Sequence, residues 1–449
     1  MPAAAPEGME ILSVPALWMF PALFLLVFMG FPIAFALIAL AFVFGYDFFG
    51  ARIGIQFFGR IHDVLTNYSF AAVPLFVFMG AMLERSGIAE RLFHAMQLWV
   101  GRLPGGLALA TLLMCAVFAA ATGIVGAVEA VVGMMAAPAM LRQRYARDLI
   151  SGTICAGGSL GTIIPPSLVV VIYATVVGIS IGDLFAGIIF PGLLMVVLFV
   201  AYVLIRCALD PASGPPADLA VTSVALPEKL RISAVALLPA VALVVAVLGS
   251  ILAGVASPTE AAGVGAAGAV ALTVLYGNFN PTLLFDVLRR TVAINAMIML
   301  VVIGGTLFTS IFLINGGSSL VNDILAGTNP EPWQVIALFL LIIFILGFIL
   351  DWVSVVLICM PIFIPVLRQL GVDPLWFGVM VCVVIQTSYL TPPMAPAIFY
   401  FRAIAPKEIT YGDMFRGVLP FIACQLIVLA VVAAWPPAAT YLAGVLFRF

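Results

Sequence analysis

Charge is what this 449-residue chain has least of. Only 8% of its residues are Asp, Glu, Lys or Arg, and only two are histidine, His62 and His94. With 18 basic and 20 acidic residues the net charge is −2, and no basic tail stands out, so nucleic acid is not an expected partner. Both histidines fall in amphipathic connectors, which argues against a metal centre. The six cysteines form no CxxC pair and sit in or beside apolar runs, so they read as small apolar fillers rather than disulfides or ligands. There is no HExxH motif, no GxGD pair and no Walker A loop. Those absences speak against an intramembrane enzyme and exclude an ATP-driven pump within this chain. The N-terminus carries Glu7 and Glu10 where a signal peptide has a basic region, and its first apolar run is too long for a signal core. That run is expected to be retained.

What fills the space is hydrophobic: 65% of residues, far more than a soluble core uses. The expected fold class is an all-α polytopic membrane protein of about 11 spanning helices. Ile11–Gly30 and Pro32–Tyr46 read as the first two. Ala51–Asn67 mixes charges with Ile and Phe and reads as an interfacial helix. Phe70–Leu83 crosses, and Ile88–Leu103 is amphipathic and lies along the surface. Leu107–Leu141 is apolar over about 35 residues, too long for one span of roughly 20. It has a TGIVG centre and basic residues at both ends, so a re-entrant hairpin over 105–141 is expected. Leu184–Cys207, Ile232–Leu252 and Ser257–Tyr276 cross. Phe279–Arg290 is expected as a separate amphipathic piece before a span at Thr291–Ile314, with a surface piece at Ser318–Gly327. Trp333–Leu367 again exceeds one span and has a polar centre, which places a second hairpin over 332–369. Tyr411–Trp435 reads as the last helix.

Two further spans contain consecutive prolines: GGSLGTIIPPS at Gly157–Ser167 and QTSYLTPPMAP at Gln386–Pro396. A Pro-Pro pair removes two backbone donors and cannot continue a helix. Lipid does not tolerate bare backbone, so such a break survives only under protein cover or beside a site for ions or solute. Broken helices are expected at 148–178 and 373–402.

The halves resemble each other. Pro165 and Pro392 stand 227 apart, the LRQ triplets at Leu141 and Leu367 are 226 apart, Gly80 and Gly304 are 224 apart, and Pro138 and Pro361 are 223 apart. Four matches in one order at nearly constant offset imply a duplication. An odd number of crossings per half inverts the second copy, as in secondary transporters. The reading is a first inverted repeat at 1–209, a cytoplasmic linker at 210–230 rich in proline, and a second inverted repeat at 231–449. Placing the first hairpin's ends in the cytoplasm leaves only Arg52, Arg60, Arg368 and Arg448 outside, against 14 basic residues inside.

Each hairpin tip then meets a broken helix near the midplane, forming two half-sites. The first comprises Thr122, Gly123 and Gly126 against Gly161, Thr162, Pro165 and Ser167. The second comprises Gly347, Asp351 and Ser354 against Thr387, Ser388, Thr391 and Pro392. A small hard cation needs several oxygens, which unwound carbonyls and hydroxyls supply, and half-helix N-termini favour an anionic solute. Thr122, Thr162, Asp351 and Thr391 are the Na⁺ candidates. Asp351 has an ordinary alternative as an N-cap for the arm beginning near Val353, and Ser or Thr hydroxyls in membrane helices often bond back to their own helix. Glu129, in an arm of the first hairpin, faces a polar cavity or pairs with an arginine. Glu260 reads as structural, in a Ser257–Glu260 capping box with Pro258 at the first helical position.

The sequence resembles the large membrane subunit of tripartite ATP-independent periplasmic (TRAP) transporters, within the ion-transporter superfamily. The stretches that carry the resemblance are GGSLGTIIPPSLVVVIYA, SPTEAAGVG, GFILDWVSVVLICMPIFIPVLRQLGVDPLWFG and QTSYLTPPMAPAIFYFRAIAP. The resemblance implies an elevator-type, Na⁺-coupled importer in the bacterial inner membrane with no other cofactor. It also implies a small four-helix membrane subunit and a periplasmic solute-binding protein that delivers an organic acid. One departure is the TGIVG tip, where many members of the family are Ser-rich, so the first ion site leans on backbone carbonyls. The QTSYLTPP form resembles the branch associated with 2-oxo, hydroxy and aromatic acids. The alternative is a stand-alone ion-coupled carboxylate transporter of the same superfamily.

Overall fold

The structure, a computed structural model, describes residues 14–122, 127–216, 224–321 and 330–447, and is helical throughout with no strand among them. Helices α1 (Pro15–Phe28) and α2 (Ile33–Phe49) open the chain. Gly50, at a φ of 54°, stops α2 before the amphipathic α3 (Ile53–Thr66), which buries only Ile53 and Val64. Helices α4 (Ala72–Arg85) and α5 (Ile88–Val100) meet at a 64° bend. Gly87 makes that elbow: its φ is 74°, and a Cβ there would lie 2.6 Å from the Asn278 amide. Asn278 in turn donates to the Ser86 carbonyl at 2.7 Å and pins the bend.

Helices α6 (Gly106–Thr122) and α7 (Ala127–Arg142) form the first hairpin. Its two feet meet: the Leu107 amide donates to the Tyr145 hydroxyl at 3.1 Å, just beyond the end of α7. The first broken span follows as α8 (Arg147–Ser159) and α9 (Leu168–Val177), then α10 (Ile181–Leu209). At 1.5 Å per residue the two broken halves are about 20 and 15 Å long, so the break falls near mid-depth of a hydrocarbon layer of about 30 Å.

The second half runs through α11 (Leu226–Leu252), α12 (Pro258–Leu275) and α13 (Pro281–Phe312). Its hairpin is α14 (Pro332–Leu346) with α15 (Trp352–Gln369), and its broken span is α16 (Pro374–Leu390) with α17 (Pro396–Ile404). Phe339 and Phe363 stack across the hairpin with ring centroids 3.9 Å apart, equidistant in sequence from Asp351, so the arms run antiparallel. At 15 residues, about 22 Å, α14 is too short to cross the layer. Helices α18 (Tyr411–Ala434) and α19 (Pro437–Phe447) close the chain. The capping box at Ser257 and Glu260 is present, which gives Glu260 its structural role. All six cysteines are buried and free.

Burial separates the helices into two groups. Helices α6, α9, α15 and α16 are largely enclosed and α8 is buried from Leu149 to Ser159, whereas α14 exposes Trp333, Leu338, Leu341 and Ile345. Around them α2, α4, α12 and α13 pack on one another, and α10, α11 and α13 expose long apolar stripes, marked by Leu193, Leu238 and Met297, each more than 60% exposed. An apolar exterior of that extent is suited to lipid, not water.

Several expectations change. Instead of about 11 spans, seven helices among the described residues are long and apolar enough to cross by themselves, or eight if the α4–α5 pair counts as one; the others are shorter because prolines and turns interrupt them. Phe279–Arg290 is not a separate piece but the first turns of α13, since nothing between Arg290 and Thr291 breaks a helix. The 210–230 linker is not all linker. Leu226–Leu230 is helical, and the stretch before Pro215 straps the first hairpin's feet, with Gly105 donating to Gly214 at 2.7 Å and Ala146 to Ser213 at 2.9 Å. Tyr411–Trp435 is not last, because α19 folds back onto α10. The Ser318–Gly327 piece is helical to Val321, and its remainder lies outside the described residues.

Helix α8 reaches α18 through glycine. A Cβ on Gly417 would strike the Asp148 carbonyl and lie 2.8 Å from the Ser151 hydroxyl, whereas one on Gly263 meets nothing within 4 Å. Gly417→Ala should therefore destabilise the detergent-solubilised protein by about 1–3 kcal/mol. Gly263→Ala should leave it unchanged or slightly more stable. Equal melting temperatures for the two variants would mean that α8 and α18 do not pack this closely.

Candidate functional site

At the first break, α8 ends at Ser159 and a 3₁₀ turn runs through Leu160–Thr162 before the cis Pro165–Pro166 bond. The prolines leave carbonyls that no amide can reach, and hydroxyls take them over. Thr162 donates to the Ser159 carbonyl at 2.9 Å, and Ser167 reaches back across the break to the Thr162 carbonyl at 2.7 Å. All three of these residues are buried. Gly161 lies within the turn and Pro165 at its exit.

The first hairpin holds this break from the side. Arm α6 packs on the 3₁₀ turn. Successive glycines of α8 accept the two arms, with a Cβ on Gly157 lying 2.7 Å from Cys115 Sγ of α6 and one on Gly158 lying 2.6 Å from Glu129 Oε1 of α7. Glu129 is fully buried and faces Tyr389 of α16 and Tyr400 of α17. At the tip, Thr122 donates to the Phe118 carbonyl at 2.9 Å. Gly123 and Gly126, the other expected tip residues, lie outside the described residues.

The second break has the same ingredients. Helix α16 ends in hydroxyls that bond back, Thr387 to Val383 at 2.8 Å, Ser388 to Ile385 at 2.8 Å and Thr391 to Thr387 at 2.7 Å. The cis Pro392–Pro393 bond follows. Ala395, at a φ of 34°, turns the chain into α17. The second hairpin comes up against it through Gly347, whose Cβ would lie 2.8 Å from that of Ser388. At its tip Asp351 caps α15, accepting from the Val353 amide at 3.0 Å, the Ser354 amide at 3.3 Å and the Ser354 hydroxyl at 2.6 Å. Asp351 is exposed, while Ser354 is buried.

The expected residues thus fall at two places, Thr162 and Ser167 at one, and Gly347, Ser388 and Thr391 at the other. Every expected hydroxyl donates its hydrogen to a carbonyl or carboxylate, the ordinary arrangement for Ser and Thr in apolar helices. A hydroxyl that donates keeps its oxygen lone pairs. Each break therefore presents hydroxyl and carbonyl oxygens without thiolate or imidazole, a donor set that fits a hard monovalent or alkaline-earth ion and not a transition metal. No cluster of three or more His, Cys, Asp or Glu residues suited to a metal occurs among the described residues.

One connection was missed. Gln386, fully buried, donates from Nε2 to Ser159 Oγ at 3.1 Å, tying the end of α16 to the end of α8. Both residues stand inside the two proline stretches, and their separation is 227, the same as that of Pro165 and Pro392. That coincidence was available as a signal that the two residues hold equivalent places in the two proline stretches.

Buried interrupted helices held by inserted hairpins, inside an apolar exterior, define a multi-pass membrane protein of transport type. Solved transporters share the fold. An Alcanivorax borkumensis YdaH transporter superposes with a TM-score of 0.60 over 93% of this chain and 98% of that one, at 18% identity. Neisseria gonorrhoeae MtrF gives a TM-score of 0.59 over 86% of this chain and 84% of that one, at 14% identity. Residues 20–438 match the model of the tripartite ATP-independent periplasmic transporter DctM component, and the chain belongs to that family. Relatives include the C4-dicarboxylate TRAP transporter large permease DctM of Pseudomonas aeruginosa, 30% identical over 84% of this chain and 86% of its own length. The ectoine/5-hydroxyectoine large permease UehC of Ruegeria pomeroyi is 30% identical over 95% and 98%, and the sialic acid large permease SiaM of Vibrio cholerae is 29% identical over 92% and 94%.

The Ser159–Gln386 contact predicts a coupling. In a double-mutant cycle of Ser159→Ala and Gln386→Leu, followed by thermal or denaturant unfolding in detergent, the interaction energy should be about 0.5–2 kcal/mol. A value indistinguishable from zero would mean that the hydrogen bond is not formed.

Proposed function

We propose that this chain is the permease subunit of a Na⁺-coupled, binding-protein-dependent importer of an organic acid, working by elevator-type alternating access in the bacterial inner membrane. The observation that carries the proposal is the pair of oxygen-lined breaks, each clasped by a hairpin and joined to the other by Ser159 and Gln386. Two such breaks, linked at residues 227 apart, are what inverted repeats at 1–209 and 231–449 would produce. In this reading the Thr162 and Thr391 regions each take a Na⁺ through hydroxyl and carbonyl oxygens, and Asp351 supplies charge near the second. A solute carboxylate is drawn to the amide-rich starts of α9 and α17.

The family description, a component of a tripartite system, favours dependence on a binding protein over the stand-alone alternative. The partners in this reading are a small four-helix membrane subunit and a periplasmic solute-binding protein. The relatives' names cover dicarboxylate, sialic acid and ectoine systems. All of these solutes carry a carboxylate, and we assign that group as the shared determinant.

Reconstitution in liposomes with the cognate small subunit and binding protein should give uptake of an organic acid that requires an inward Na⁺ gradient. Uptake without the binding protein, or without Na⁺, would overturn the reading. Asn caps helices as well as Asp does, so Asp351→Asn preserves the α15 cap while removing the charge. It should raise the Na⁺ concentration for half-maximal transport roughly tenfold, a change of about 1.4 kcal/mol. Unchanged Na⁺ activation would remove Asp351 from the site. Replacing Pro165 and Pro166 by Ala gives back two amide donors and should abolish most uptake while the protein still reaches the membrane.

A further inference from the structure

Away from the breaks, the amphipathic α5 is clamped to the start of α11 and the end of α12 by aromatic groups. Lys229 Nζ sits 4.2 Å over the Trp99 ring, and the Trp99 indole donates to Ser233 Oγ at 2.7 Å. The Arg91 guanidinium lies 4.6 Å from the centre of the Tyr276 ring, and Tyr276 donates to the Val235 carbonyl at 3.3 Å. Between these clamps is an open cleft of about 240 Å³ lined by Arg91, His94, Glu228, Arg231 and Val235. Both arginines are exposed, and Glu228 holds Arg231 at 3.4 Å.

The cleft opens at one end of two spanning helices, with Arg91 and His94 of α5 on one side and Arg231 of α11 on the other. Trp and Tyr mark such a level, the boundary between headgroups and hydrocarbon. Helical spacing then puts Arg231, Val235, Leu238, Ala242 and Val245 on one stripe of α11. Val235, Leu238 and Val245 are 48, 68 and 61% exposed, and Ala242 is also exposed. From Arg231 the stripe runs about 21 Å, more than the ~15 Å of one leaflet's hydrocarbon. A cationic cleft at the top of an uncovered apolar track matches a molecule with a phosphate at one end and an alkyl chain at the other.

We propose that Arg91 and Arg231 bind the phosphate of an anionic phospholipid whose acyl chain lies along Val235, Leu238 and Val245 of α11. Glu228 opposes the binding, because it competes with the phosphate for Arg231. The clamp geometry gives the lipid a role as mortar between the surface helix α5 and the spans it crosses.

The test is native mass spectrometry of the delipidated full chain titrated with phosphatidylglycerol, with phosphatidylcholine and with inorganic phosphate. Phosphatidylglycerol should bind several-fold tighter than phosphatidylcholine. In Arg91→Gln/Arg231→Gln its affinity should fall roughly twentyfold, from two basic contacts near the headgroup. Glu228→Gln should bind it more tightly than the unaltered chain, a gain that misfolding cannot produce. Equal binding of the two lipids, unchanged phosphatidylglycerol affinity in the double arginine variant, or weaker binding in Glu228→Gln would overturn the proposal. Displacement of the lipid by inorganic phosphate at comparable concentration would make the cleft a soluble-anion site and equally overturn it.

Discussion

Two helices among the described residues are interrupted by proline pairs that carry no amide, at Pro165–Pro166, which is enclosed, and at Pro392–Pro393, which reaches the surface at Pro393. A carbonyl exposed to hydrocarbon costs several kcal/mol. The rest of the fold follows from covering that deficit. At the first break a side chain supplies the donor the backbone lacks: Ser167 bonds the Thr162 carbonyl, which a helical amide at position 166 would otherwise meet, while Thr387 and Thr391 at the second bond back to carbonyls of α16 itself. Hairpins pack alongside because the broken segments need protein, not lipid, beside them. Glycines occur at Gly157, Gly158 and Gly347 because the covering arms must come close enough to exclude lipid.

The breaks, hairpins and surface helices were legible in the sequence because each is written in strong local physics: Pro-Pro pairs, apolar runs of the wrong length, and stripes of charge. Helices begin or end close to the proline pairs and the polar centres of the long apolar runs, where those local signals stand. The errors arose where local signals are silent. The α13 helix absorbs its amphipathic start because a change of polarity alone does not bend a helix. The strapping of the hairpin feet by Ser213 and Gly214 uses backbone groups, which carry no residue identity. The Ser159–Gln386 bond is tertiary, and Gln386 looked like one more polar residue in a polar stretch until its partner was known.

Asp351 illustrates how a structural and a functional reading coexist on one side chain. Its carboxylate accepts two amides and a hydroxyl, which is sufficient reason for its position at the start of α15. Those bonds also fix a negative charge at the exposed tip of a hairpin, next to a break lined with oxygen. Glu129 occupies the contrasting environment, enclosed between Gly158 and the tyrosines of α16 and α17. Of the two hairpin acids, only Asp351 is placed where a charge can act on something arriving from solvent.

The packing also bears on which parts can move under the elevator proposal. Gly152 of α8 and Gly417 of α18 meet backbone to backbone, and Gly157 and Gly158 seat the arms of the first hairpin with no side chain of their own between. Contacts that close have one register, since sliding by even a fraction of a turn would drive carbonyls into one another. Between α13 and α15 the contact differs in kind. Gly305 of α13 meets the Leu357 side chain of α15, which can change rotamer as helices slide. Backbone-close contacts also occur, at Gly106 against the carbonyls of Val100 and Gly101, where α5 joins the hairpin, and at Gly192 of α10, whose Cβ would lie 3.2 Å from the Ile163 carbonyl oxygen beside the first break. Under the elevator proposal, contacts made through side chains such as Leu357 are the ones that can slip, while α10 and α18, held close to backbone at Ile163 and Gly152, would have to move with the half-sites.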